Sequence, residues 1–151
     1  MRHAFGLPQV LLIILFVGGI VTVTMRYASL GAQHYADSYT REQAELFLQS
    51  ATEAALLRIS AFPRNTNPGG CLKTLNVVSS DGKFNAAVTM EQYYLTDGTS
   101  CTDTSGNLFS TSIQTEESHG MVSMRVIVTS DSTNAKILHP IRLERRSLQR
   151  P

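Results

Sequence analysis

The chain is 151 residues long, carries a formal net charge of +1 and has 17% charged and 7% aromatic residues, with no Trp. That length holds one modest domain plus an anchor, and the near-neutral balance, with no basic patch interleaved with stacking side chains, excludes a nucleic-acid binder. Two cysteines and four histidines (His3, His34, His119, His139) share no ligand spacing, so neither a metal nor a cofactor is expected.

Leu7 to Met25 (LPQVLLIILFVGGIVTVTM) is apolar on every side and contains no charged residue. At 1.5 Å per residue this stretch spans about 28 Å, close to the ~30 Å hydrocarbon core of a bilayer. No strong breaker follows until Phe62-Pro63, where the residue before proline avoids helical geometry. The pattern therefore predicts a continuous helix reaching roughly 80 Å, with residues 5–26 as its transmembrane half and residues 27–62 as its amphipathic half. In the second half Leu30, Tyr35, Tyr39, Leu46, Phe47, Ala51, Ala54, Ala55 and Leu57 recur at helical steps, with Ser50, Ala51, Ala54 and Ala55 suited to close packing on a sheet. Thr40 with Gln43 forms a capping-box pattern at which the helix is expected to bend or restart. Arg2, on the short N-terminal side, favours a cytoplasmic N-terminus, and Arg26 opposes that vote. A signal peptide released after Ser29-Leu30-Gly31 is the competing processing pattern.

Residues 63–151 alternate in the manner of an antiparallel β head. Leu72–Ser79 reads as a first strand and Ser80-Asp81-Gly82-Lys83 as a hairpin turn. A second strand places Phe84, Ala86, Val88, Met90, Gln92 and Tyr94 on one face, with Ala87 and Tyr93 on the other. Asp97–Asn107 is a polar loop containing Cys101, Leu108–Thr115 a short edge strand, and Met121–Thr129 the clearest strand of all. Lys136–Arg145 completes the sheet, with Ile137, His139, Ile141 and Leu143 on its apolar side and Pro140 fitting an edge position. The expected class is α+β: a long N-terminal helix whose second half, from about Tyr39 to Leu57, packs on a small antiparallel sheet.

Cys71 and Cys101 both lie downstream of the apolar segment in Gly/Ser/Thr-rich surroundings. An even pair in a chain that crosses or leaves a membrane predicts a disulfide in an oxidising compartment. Closing that loop stabilises the head by about 3 kcal/mol in the chain-entropy model.

The start of the chain is similar to a known pattern. Arg2-His3-Ala4-Phe5-Gly6-Leu7, running directly into the apolar helix, resembles the short leader of type IV pilins and type II secretion pseudopilins. The match covers about 25 residues closely, and the plan of long helix followed by β head covers the whole chain. The resemblance implies that residues 1–4 are a leader, that a prepilin peptidase cuts between Ala4 and Phe5, and that Phe5 becomes an N-methylated terminus. It also implies helix-to-helix assembly with other pilin-like subunits, for which Pro8, Gln9, Gly18 and Gly19 are the candidate packing residues. Two positions depart from the family pattern: Ala4 stands where Gly is usual, and Gln9 where Glu is usual. A glutamate there would pair with the free amine of a neighbour, a charge that is costly to bury alone. Gln9 hydrogen-bonds without neutralising, which points away from a major pilin and toward a minor or pseudopilin-like subunit.

Chemistry is sparse elsewhere. No phosphate loop, nucleophile elbow or zinc-protease motif occurs. Glu116-Glu117 beside His119 reads as solvated loop, His139 as a partly buried histidine, and Arg142, Arg145, Arg146 and Arg150 as a basic tail. The expectation is a non-enzymatic structural subunit of the inner membrane, with its N-terminus cytoplasmic and its head periplasmic or extracellular. The alternatives are a non-assembling single-pass envelope protein with a small periplasmic binding domain, and a secreted domain released after Gly31.

Overall fold

The computed structural model describes residues 6–63, 70–95, 100–103, 105–114, 120–131, 133 and 139–151. The fold is α+β: one helix, α1 (Leu7–Ser60), then β1 (Thr74–Val78), β2 (Phe84–Leu95), β3 (Ser110–Ser112), β4 (Met121–Ser130) and β5 (Arg142–Gln149). The chain divides into two compact units, Met1–Tyr39 and Thr40–Pro151.

The first unit holds the apolar part of α1. Val10 to Met25 is exposed throughout, and this stretch is long and apolar enough to cross a membrane. Its polar side chains are satisfied locally: Thr22 Oγ1 donates to the Gly19 carbonyl at 2.8 Å and Thr24 Oγ1 to the Val21 carbonyl at 2.9 Å. Such back-bonding suits hydroxyls to a medium that offers no water. The helix runs on through Arg26 and across Thr40–Gln43, where the capping-box pattern suggested a restart. There Gln43 Oε1 accepts from Lys83 Nζ at 3.3 Å, tying the helix to the β1–β2 turn.

In the second unit Ala44, Leu48, Ala51, Ala55 and Ile59 form the buried stripe of α1, spaced by three or four residues. The stripe differs from the expected one. Leu46 and Leu57 are 66% and 71% exposed and Ser50 is exposed, while Ala44, which carried little signal, is fully buried. The inner face of the sheet contributes Phe84, Ala86, Val88 and Met90 from β2 and Val122, Met124, Val126 and Val128 from β4 to the same core. Phe47 stacks on Phe84 with ring centroids 6.1 Å apart.

The sheet order is β1-β2-β4-β5, antiparallel throughout, with β3 pairing parallel to β2 beyond the end of β1. The β1–β2 turn is built as the sequence suggests. Gly82 takes φ +67° and donates its N–H to the Ser79 carbonyl at 2.9 Å, while the Asp81 carboxylate accepts from Ser79 Oγ and the Lys83 N–H.

Three strand expectations are corrected. The ladder of β2 and β4 shifts between Met90 and Gln92, so Glu91 acts as a bulge and the alternation changes phase. Tyr93 and Leu95 are therefore buried, and Gln92 and Tyr94 are not. The last strand starts at Arg142 and runs to Gln149, so Arg142, Arg145 and Arg146 belong to the sheet rather than to a basic tail, and exposed His139 precedes the strand instead of packing inside. Residues 136–138, which the sequence placed in that strand, lie outside the described residues. The short strand expected over Leu108–Thr115 narrows to Ser110–Ser112.

Candidate functional site

Two places concentrate the residues singled out in the sequence: the exposed apolar surface of α1, and the disulfide-closed corner of the head. Ala4 and Phe5, the cleavage pair of the resemblance, lie outside the described residues, as do Glu116, Glu117 and His119.

Pro8 and Gln9 sit in the first turn of α1, where a missing proline N–H leaves no helical acceptor unsatisfied. The Gln9 N–H donates to the Gly6 carbonyl at 2.8 Å, and no acidic residue lies in that turn. Gly18 and Gly19 are exposed, and a methyl group added at either would meet nothing within 4 Å. Beside them Leu15, Phe16, Gly19, Ile20, Val23 and Thr24 line a shallow apolar hollow. None of these side chains can ionise, so the surface offers van der Waals contact and close helix approach, and no bond-making chemistry.

Cys71 and Cys101 form a disulfide with a Cα–Cα distance of 5.4 Å, closing 30 residues of sequence. Cys101 is fully buried. Its N–H donates to Ser110 Oγ at 2.9 Å and its carbonyl accepts the Phe109 N–H at 2.9 Å, holding β3 beside the cysteine. After Cys101, Thr102 bridges Leu108 antiparallel and Asp103 gathers the donors between them. That carboxylate accepts from the Ser105 and Asn107 N–H groups and from Lys73 Nζ at 2.6 Å. The Lys73 ammonium first, and the Asn107 N–H next, hold the Asp103 carboxyl well below the usual carboxylate range. Lys73 also lies 5.4 Å from the centre of the Phe109 ring, and Tyr93 meets that ring edge-on at 5.7 Å while donating its hydroxyl to the Leu72 carbonyl at 2.7 Å. Sequence patterning flagged the cysteines but not Tyr93, Phe109 or Lys73, whose roles depend on the bulge at Glu91 and on pairing distant in sequence.

On the outer sheet face Glu91, Arg125, Glu144 and Arg146 form a ladder of ion pairs across β2, β4 and β5. Arg125 lies 3.2 Å from Glu91 and 3.9 Å from Glu144, and Arg146 lies 3.7 Å and 3.9 Å from the same two carboxylates. The charges balance, two against two. Among the described residues no three histidine, cysteine, aspartate or glutamate side chains cluster as metal ligands would. Comparison with protein-family models, curated proteins and solved structures finds no match to this chain.

Proposed function

We propose that this protein is a structural subunit of the minor pilin or pseudopilin type. It is held in the inner membrane by the apolar half of α1, with its N-terminus cytoplasmic and its head on the far side. The observation that carries the reading is the contrast within α1: among the described residues no residue of the span-length apolar segment is buried, while the same helix continues into the core of a small disulfide-closed sheet. Such a segment serves storage in lipid and, after removal of residues 1–4, assembly by exchanging lipid contacts for equivalent helices of neighbouring subunits. Gly18 and Gly19 provide the close approach, and Gln9 in place of an acid fits a subunit that pairs with no free amine above it. The head supplies a specific surface and no catalysis.

Intact mass of the protein purified from its native membrane tests this. A chain beginning at Phe5 and carrying one added methyl group is expected. An intact Met1 would replace this reading with a non-assembling anchored domain, and a start near Ala32 with a secreted one.

A further inference from the structure

β5 ends the strand order of the sheet. Among the described residues β5 pairs with β4 alone, in a register set by Val128↔Leu143, Val126↔Arg145 and Met124↔Ser147. Just before the strand, the Ser130 N–H donates to the Ile141 carbonyl at 2.9 Å. Hydrogen-bonded pairs alternate along an antiparallel ladder, so Leu143, Arg145, Ser147 and Gln149 turn their backbone groups toward β4. Arg142, Glu144, Arg146 and Leu148 turn theirs toward the open rim, a row of donors and acceptors that an extended segment can pair with.

The side chains around this rim say which segment. Arg145, Ser147 and Gln149 stand on the helix side and, with Gln49, Thr52, Glu53 and Leu56 of α1, line a mixed, mainly polar groove of about 450 Å³. An added strand would lay alternate side chains into that groove and the others over the outer face. Arg146 is already balanced by Glu91 and Glu144. Neither Arg142 on the outer face nor Arg145 in the groove makes an ion pair among the described residues, and both are exposed. A second copy of β5 would set an arginine-rich strand against itself, which like-charge neighbours across a ladder disfavour.

We propose that β5 is a docking rim for an extended acidic segment of a partner protein, which adds to the sheet with two carboxylates three residues apart, one meeting Arg142 and the other Arg145. An odd spacing is required because the two arginines lie on opposite faces of the strand. Backbone pairing provides the attachment and the two cations select the sequence.

The full chain in detergent micelles, titrated with the capped peptide Thr-Glu-Val-Thr-Glu-Val-Thr, tests this by residue-resolved amide hydrogen exchange. At saturation the amides of Glu144, Arg146 and Leu148 are expected to slow at least tenfold, while those of Leu143, Arg145 and Ser147, already bonded to β4, stay as they were. The same peptide with glutamine in place of both glutamates should bind at least tenfold more weakly. The double variant R142E/R145E should lose the glutamate peptide and gain its lysine counterpart, with unchanged exchange in β4 reporting that the head is intact. No binding, equal binding of the glutamine peptide, or protection of both amide sets alike would overturn the proposal and leave the arginines as guards against strand-to-strand aggregation.

Discussion

Between Val10 and Met25 the helix turns Leu12, Phe16 and Met25 outward with about 70% of each side chain exposed, whereas between Ala44 and Ile59 it hides Ala44, Ala51 and Ala55 completely. The uncovered half thus carries large apolar side chains on every side, while three of the five buried positions on the covered half are alanines, Leu48 and Ile59 being the others. Within a water-soluble core the opposite would be expected, because burial of each methylene contributes about 0.8 kcal/mol. The contrast makes sense if two different media cover the helix. Bulky residues around the whole circumference suit lipid, while a narrow stripe, Ala44, Leu48, Ala51, Ala55 and Ile59, suits one face of a sheet. Helix geometry is common to both halves, so what distinguishes them is side-chain size and the width of the apolar surface.

Paired substitutions on the two halves should separate these roles. Met124→Ala empties a fully buried position opposite the alanine stripe and should destabilise the head by about 2–5 kcal/mol. Val17→Ala removes bulk from the exposed segment and should leave the urea midpoint of the head unchanged. Equal losses from both variants, read by chemical denaturation in micelles, would mean that the apolar segment also packs into the head.

A smaller effect should appear with acid, confined to the second unit. The Ser79 hydroxyl and then the Lys83 N–H hold Asp81 down to about 2, and the Thr133 hydroxyl lowers Asp131 as Lys73 lowers Asp103. In each case the folded state prefers the charged carboxylate. Their contribution is therefore complete above the ordinary carboxylate value near about 4 and is lost as pH falls through the lowered one. The urea midpoint of the head should decline from about pH 4 downward. Asp81→Asn should start lower at neutral pH and decline less steeply. A decline identical to that of the parent protein would remove Asp81 from the account.

Much of this architecture was readable from local chemistry. The apolar run, the stop at Phe62-Pro63, the Ser-Asp-Gly turn, strand β4 and the cysteine pair each carry their cause within a few residues. What escaped depends on partners far away in sequence. A single added residue at Glu91 inverts the faces of Tyr93 and Tyr94 with no composition signal, since a bulge is defined only against the opposite strand. The sequence RLERRSLQ lacks apolar alternation because β5 lies at the rim, where an ion-pair ladder and a polar groove surround it. The buried stripe of α1 was misplaced for a related reason: Leu48 is buried and Leu46 and Leu57 are exposed, a choice among leucines that only the position of the sheet decides. The assembly surface proposed at Gly18, Gly19 and Gln9 lies beyond what the fold of a single chain can report, because open space beside the glycines and the local bond of Gln9 name no partner.

The most direct measurement of the two-medium claim is a spin-label scan along residues 8–59 of the full chain in lipid bilayers, comparing collisions with oxygen and with a water-soluble nickel complex. The native cysteines, joined to each other, stay silent. Labels on every side of residues 8–25 should meet oxygen and exclude nickel. From residue 44 onward, labels at Ala44, Leu48, Ala51, Ala55 and Ile59 should exclude both, while those at Leu46 and Leu57 meet nickel. Nickel access throughout residues 8–25 would contradict the account.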